Sequence, residues 1–244
     1  MMLREFKADL HIHTCLSPCA DLAMLPTTIV RQAKMQNLDM IGICDHNSAE
    51  NVLAVKKAGA REGLRVLGGM EITSREEVHV LALFDDDLAT GEMQNVVHEN
   101  LSGENDEDFF GEQVIVDEND RPVALSDKLL IGATDLSIDE IVRLVHSLKG
   151  IAIASHIDRE SFSIIGQLGF IPEGLDLDAL EVSPNCESNE IADYKSYGFP
   201  LVTSSDAHFL TDIGKASTTF LLDTATFQEV VMAFHGVEGR HVRL

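Results

Sequence analysis

Two histidines separated by one residue, His11 and His13, open the chemistry of this chain, and Cys15, Cys19 and Asp21 follow within eight residues of the second. In an extended strand alternate side chains share a face, so both imidazoles point one way while Leu10 and Ile12 point the other. Neutral imidazole nitrogens aimed at one spot supply half of a metal shell for zinc, iron, copper or nickel, and carboxylates from elsewhere can complete it. The pair alone fits two incidental strand-end histidines equally well. Recurrence favours the site: Asp45-His46, Glu71, His156 and Asp206-Ala207-His208 fall where apolar runs stop, and His79 lies inside a further run. Six of the ten histidines are thus placed beside carboxylates at strand ends, a clustering that accident does not readily produce. His98, His146, His235 and His241 lie in helices, in an acidic stretch or towards residue 244, and read as ordinary polar residues.

The elements that must carry these residues alternate along the chain. Residues 26–37 read as a helix opened by proline in its first turn, and 38–44 as a buried strand ending at Asp45-His46. Ser48 is placed to cap a helix running to about residue 62, which Gly63 stops. A third strand from Arg65 delivers Glu71, and 78–84 forms a fourth, an alternation that fits a parallel sheet with helical crossovers. Between 85 and 130 the rhythm lapses into a helix over 91–101 and a hairpin of 113–116 with 123–125, so this segment reads as an acidic insertion in a single domain spanning 1–244. Ser137 and Glu140 then form a capping box for a helix to 149, and the strand 151–155 delivers His156. A helix over 161–168, a strand over 179–183, a helix over 187–197 and a strand over 200–204 follow, with Thr226 and Glu229 capping a last helix. In parallel α/β barrels, residues from distant strands meet at the carboxyl rim.

In order, Asp-Leu-His-x-His at 9–13, Cys44-Asp45-His46 where Thr-Asp-His is usual, Gly69-x-Glu71 followed by His79, Ser155-His156 and Ser205-Asp206-Ala207-His208 resemble the motifs of the polymerase and histidinol phosphatase (PHP) family. The resemblance runs from Asp9 to His208. It implies an α/β fold, a distorted seven-stranded (β/α)7 barrel, with two or three divalent metal ions (zinc, manganese or iron) in its mouth and phosphoester hydrolysis as its chemistry. By the same resemblance His11, His13, Glu71 and Asp206 hold one metal, Glu71 with His79 and His156 a second, and His46 with His208 a third. The family commonly places His or Asp five or six residues after the second histidine, where this chain has Pro18 and Cys19. As a thiolate Cys19 would favour zinc or another thiophilic metal; Asp21 is the rival ligand, and a small packing residue is the plain alternative for Cys19. Cys15 and Cys44 read as packing residues.

Roles follow from residue type. Glu71 has an oxygen for each of two metals, and Asp206 can hold a metal or orient the attacking water. His208 is a candidate proton donor to the leaving oxygen. Arg159, three residues past His156, suits a phosphate through its planar donor fork, or else is a surface arginine in a connection. Asp9 is a candidate to orient a ligand histidine, and Ser74, Arg75 and Asn185, just past strand ends, are candidates for substrate contact.

A chain of 244 residues suits one large α/β domain. Its four cysteines are few and irregular, residues 1–7 hold no signal-like apolar run, and no stretch is long and apolar enough for a bilayer, so a cytoplasmic protein with no membrane partner is expected. A net charge of −23 without a Lys/Arg cluster argues against long nucleic acid as a partner. A small phosphorylated substrate stays open, because far-field repulsion is screened over roughly 8 Å and metal ions dominate at contact. The expected activity is therefore that of a metal-dependent phosphatase on a small metabolite or nucleotide. The alternatives are a nuclease trimming short oligonucleotides and a non-catalytic, metal-stabilised regulatory domain.

Overall fold

The computed structural model describes residues 2–244. Strands β1 (Arg4–Ile12), β2 (Met40–Ile43), β3 (Arg65–Thr73), β4 (His79–Phe84), β7 (Ile151–Ala154), β8 (Ala179–Val182), β9 (Leu201–Thr203), β10 (Thr218–Leu222) and β11 (His241–Arg243) form one sheet, while β5 (Val114–Val116) and β6 (Pro122–Leu125) form a separate hairpin. The large sheet runs β11-β10-β1-β2-β3-β4-β7-β8-β9. Its two halves meet on β1: Arg4–Ala8 pair antiparallel with β10, whereas His13 N–H donates to Ala207 O (3.0 Å) and Ala207 N–H to His11 O (3.2 Å). The second contact closes a ring of seven strands, and β10 and β11 extend the sheet outside it. The barrel is the expected architecture with two strands added; the short run 218–222 was not foreseen as a strand.

β4 corrects the expectation of an all-parallel order, since it pairs antiparallel with both β3 and β7. Only five residues separate Thr73 from His79, enough for a turn but not for the crossover of a dozen or more residues that a parallel neighbour needs. The reversal puts the first residue of β4, His79, at the rim where the other strands end.

Alternate residues of each strand line the barrel. On β3 they run Leu67, Gly69, Glu71; on β4, read upwards, Leu83, Leu81, His79; on β8, Ala179, Glu181. The lower members pack with Phe6, Ala8, Leu10, Ile151, Ile153 and Val202, and helix Phe227–Phe234 closes that end with Phe227, Val230 and Phe234. The upper members are the polar residues of the mouth. On β1 the pairing with β2 skips register between Asp9 and Ile12. This bulge corrects the simple alternation: Leu10 packs inside the barrel and Ile12 outside it, beneath helices Pro26–Met35 and Val52–Glu62. An extra residue in one strand re-aims the side chains beyond it, here His11 and His13 towards the mouth. Helices Asp87–Glu99 and Ile138–Ser147 cover the opposite side of the ring. The capping box at Ser137 and Glu140 forms as expected. Ser48, in contrast, does not cap: that helix starts after Asn51, and Ser48 Oγ turns to Glu50.

Strands approach closely at Gly42, where a Cβ would lie 2.3 Å from Leu10 O in the neighbouring strand. Gly42→Ala is expected to destabilise the fold by about 2–3 kcal/mol, lowering Tm by roughly 4–12 °C for a chain of this size. An unchanged melting curve would show that the two strands separate freely at this point.

Segment 85–130 packs onto the loop that follows β1. Asn51 joins them: its Nδ2 donates to Thr14 Oγ1 (2.9 Å) and Val114 O (3.0 Å), and its Oδ1 accepts from Val116 N–H (2.9 Å). No helix among the described residues is long and apolar enough to cross a membrane.

Candidate metal centre

Glu71, buried at the upper end of β3, is the hub of the mouth. Its Oε1 lies 2.9 Å from His79 Nδ1, 3.3 Å from His156 Nε2 and 3.4 Å from His11 Nε2; its Oε2 lies 3.1 Å from His46 Nδ1 and 3.5 Å from His13 Nε2. Asp206 Oδ1 completes the first cluster at 3.3 Å from His11 Nε2 and 3.1 Å from His13 Nε2. His208 stacks on His13 at 4.2 Å between ring centroids. The barrel therefore brings together His11, His13, His46, Glu71, His79, His156, Asp206 and His208.

Three groups hold ligand atoms within 4.8 Å of one another: His11, His13 and Glu71; His46, Glu71 and His79; and His13, His46 and His208. The buried Nδ1 atoms of His46 and His79 and Oε1 of Glu71 have no hydrogen-bond partner. Buried polar atoms ordinarily find one. Nitrogen and oxygen lone pairs left facing a common point are the donor set that a divalent cation satisfies, so the residues present fit the metals that the motifs imply.

Hydrogen bonds behind the cluster fix which imidazole nitrogen faces inwards. Ser17 Oγ donates to Asp45 Oδ1 (2.7 Å), so it accepts from His13 Nδ1–H (2.9 Å) and leaves Nε2 free. Asp45 also accepts from Thr14 N–H and Thr14 Oγ1–H, both at 2.7 Å, and so braces the loop rather than joining the ligands. His11 Nδ1–H donates to Glu181 Oε2 (3.0 Å), which also takes the His156 N–H (3.2 Å). His208 Nδ1–H donates to Asp206 O (2.8 Å). Orienting bonds of this kind hold metal-binding histidines in register. Asp9 hydrogen-bonds to none of these histidines, a correction to its expected role. It accepts from Ser205 N–H, Ser205 Oγ–H and Gly214 N–H, which anchors the loop carrying Asp206. Burial pushes the Asp9 carboxyl up to about 6 against those bonds.

Burial opposes charge throughout the cluster, yet the neighbouring histidines, His79 and His11 foremost, hold the Glu71 carboxyl well below its usual range, and His11 and His13 do the same for Asp206. Cys19 stands at the rim. The residue is exposed, yet partial burial of the sulfur raises its thiol, and the His208 and His46 imidazoles beside it outweigh that and bring it down to about 7. Asp21 Oδ1 caps its own turn by accepting from Ala23 N–H (2.8 Å), so Cys19 rather than Asp21 faces His46 and His208. Two site residues, His156 (φ 29°) and Asp206 (φ 50°), occupy left-handed backbone, the kind of strain that clusters at functional sites.

A cavity of about 560 Å³ opens above the cluster, with Cys19, Ile131, Arg159 and Phe162 on its walls. Arg159 Nη1 is 2.7 Å from Asp206 Oδ2 and the side chain is half exposed. The residues set aside as substrate contacts lie elsewhere: Ser74 is buried and accepts from Val78 N–H inside the β3–β4 turn (3.2 Å), Arg75 lies beside Glu76 and Asp135, and Asn185 is outside the cavity wall. Cys15 and Cys44 pack in apolar clusters as expected. Sequence reading missed Glu181, Ser17 and Phe162. Only Glu181 carried a signal, a charge in the middle of an apolar strand run. Outside the mouth, His146 pairs with Asp178 (2.9 Å) at the lower end of the barrel.

Comparison with known proteins agrees with this geometry. The family model described as PHP domain matches residues 9–170, more than half of the chain, and the model described as PHP-associated matches 185–236. A 5'-3' exoribonuclease of Haemophilus influenzae is 29% identical over 80 residues, which cover 32% of this chain and 28% of that protein. The crystal structure of the lesion-specific endonuclease PfuEndoQ from Pyrococcus furiosus superposes with a TM-score of 0.76 at 19% identity, over 99% of this chain and 58% of that one. Endonuclease Q in complex with a 27-mer duplex bearing an abasic lesion at its active site gives 0.70 at 19% identity, over 98% and 58%. The chain thus spans little more than half of each endonuclease, and less than a third of the exoribonuclease is matched.

Proposed function

The chain belongs to the PHP domain family, and from that premise we propose that it is a metal-dependent phosphoesterase which removes phosphate from a small phosphorylated metabolite or nucleotide. The observation that carries the reading is the position of Glu71, whose two oxygens face different histidines. Divalent cations held by His11, His13, Glu71 and Asp206, by Glu71, His79 and His156, and by His46, His208 and Cys19 would supply an activated water near pH 7 and neutralise phosphoryl oxygens. Manganese, zinc and iron all suit the first two sets; a thiolate from Cys19 favours zinc or iron at the third.

The chain's own groups have separate tasks. Arg159 presents its remaining N–H donors to a phosphate oxygen beside Asp206. Asp206 orients the attacking water through the oxygen not engaged with His11 and His13. His208, its Nδ1–H held by Asp206 O, presents Nε2 at the mouth, where as the imidazolium, and when it is not a ligand, it can hand the Nε2 proton to the leaving oxygen. We take 85–130 as an insertion in one domain spanning 1–244. The free thiols of Cys15, Cys19, Cys44 and Cys186 support a cytoplasmic setting.

A second reading, nuclease activity, gains from the endonuclease Q likeness. That structure holds a DNA duplex, so the fold gives no ground for excluding long nucleic acid, and the argument against it rests on the charge of −23 alone. The test is metal analysis of the protein loaded with manganese, zinc or iron, followed by phosphate release from a phosphomonoester panel and trimming of end-labelled oligonucleotides and duplex. The phosphatase reading expects monoester turnover, and Asp206→Ala is expected to lose about a thousandfold in kcat/KM with its circular dichroism unchanged. Wild-type turnover by that variant sinks the assignment, and trimming without monoester release favours the nuclease.

A further inference from the structure

Phe162 is an aromatic side chain in a place the fold does not require one. It ends the loop after β7, one residue before Ser163 caps helix Ile164–Leu168, and its backbone is left-handed at φ 56°. Turning a chain there is easiest for glycine or asparagine, and a bulky residue is an outlier. The strain is held by His79 N–H, which donates to Phe162 O (2.9 Å). One face of the ring stacks on the His79 imidazole, with centroids 4.7 Å apart and planes at 21°. Yet the side chain remains 39% exposed and lines the cavity, as does the 40% exposed Ile131. An apolar ring parked against a metal-cluster histidine, braced on one side and open on the other, is a surface without a partner.

We propose that Phe162 is a stacking platform for a nucleobase, and hence that the phosphoester substrate is a nucleotide whose phosphate sits at the histidine and carboxylate cluster beside Arg159. This deepens the phosphoesterase reading and rests on it. A planar π-system covers the free face of the ring, and base–aromatic stacking tolerates any base. A sugar phosphate offers no such plane and would leave Phe162 and Ile131 in water. Glu160 and Ser161 stand beside Phe162 on the same wall and offer an acceptor and a hydroxyl to the base edge. Phe162 is a specificity residue and takes no part in bond breaking.

The test uses manganese-loaded protein and two non-hydrolysable probes, the phosphonate analogues of AMP and of ribose 5-phosphate, titrated by calorimetry. Wild type is expected to bind the AMP analogue roughly tenfold more tightly. The gap should close in Phe162→Ala and Phe162→Leu and persist in Phe162→Tyr, which keeps the ring. Equal affinities in the wild type, or a gap surviving in Phe162→Ala, overturn the proposal. Repeating the titration with the analogue at the end of a dinucleotide tells a free nucleotide from a strand end; a platform for either keeps the dependence on the ring. The phosphoesterase reading fails separately: a base-dependent gap in a protein that turns over no phosphoester leaves the platform standing, whereas equal turnover of AMP and ribose 5-phosphate in every variant removes the platform and keeps the hydrolase.

Discussion

Glu71→Ala is expected to cost about a thousandfold or more in kcat/KM and to release metal from more than one position at once. Both oxygens of this carboxylate are placed against histidines, Oε1 against His11, His79 and His156 and Oε2 against His13 and His46, so its removal takes an anionic ligand from two sets together. The barrel should survive. The apolar layer below Glu71, formed by Leu67, Leu81, Leu83, Ile151 and Ile153, is untouched, and the loss also removes a buried charge whose desolvation is costly. Metal stoichiometry by elemental analysis, kinetics and a melting curve on one preparation check the three parts. Glu71→Gln, which keeps volume and one strong acceptor, should retain more metal than Glu71→Ala. A Glu71→Ala protein with its full complement of metal and normal turnover would remove Glu71 from the centre and the bridging argument with it.

The polar residues of this site were easy to find and their supports were not, for a physical reason. His11, His13, His46, His156, Asp206 and His208 follow apolar runs directly, so position along the chain nearly equals position on the rim. His79 fits the same rule only after the reversal of β4, which the five-residue turn between Thr73 and His79 could have announced. The bulge in β1 had no sequence mark, since an inserted residue looks like any other until the partner strand is known. The same holds for strands β10 and β11, whose places outside the ring depend on the pairing of β10 with β1. Cys19 and Asp21 were indistinguishable by spacing and separated at once by the turn that Asp21 caps. Phe162 belongs to a loop whose path is set by contacts with His79, far away in sequence.

Glu181 gives the second large expectation. Its carboxylate accepts from His11 Nδ1–H and His156 N–H at once, so Glu181→Ala frees the His11 ring to rotate and loosens the turn in which His156 is held at φ 29°. Removing the partner of a metal-binding histidine typically costs about 10–100-fold in metal affinity or activity. We expect a loss in that range, read as metal dissociation constants by competition with a chelator, with partial rescue in Glu181→Gln, whose amide oxygen can still accept. Unaltered metal affinity in a folded Glu181→Ala protein would reduce Glu181 to a packing residue.

The bond between Ala207 and the end of β1 has a bearing on biosynthesis. Translation exposes the two leading imidazoles first, and the aspartate that stands beside them comes almost two hundred residues later. Domains form as units while the nascent polypeptide leaves the ribosome, so an arrested product that stops short of residue 206 presents His11 and His13 without the Asp206 carboxylate. A cation held by His11 and His13 together with Asp206 would therefore be taken up late, once the ring has been shut.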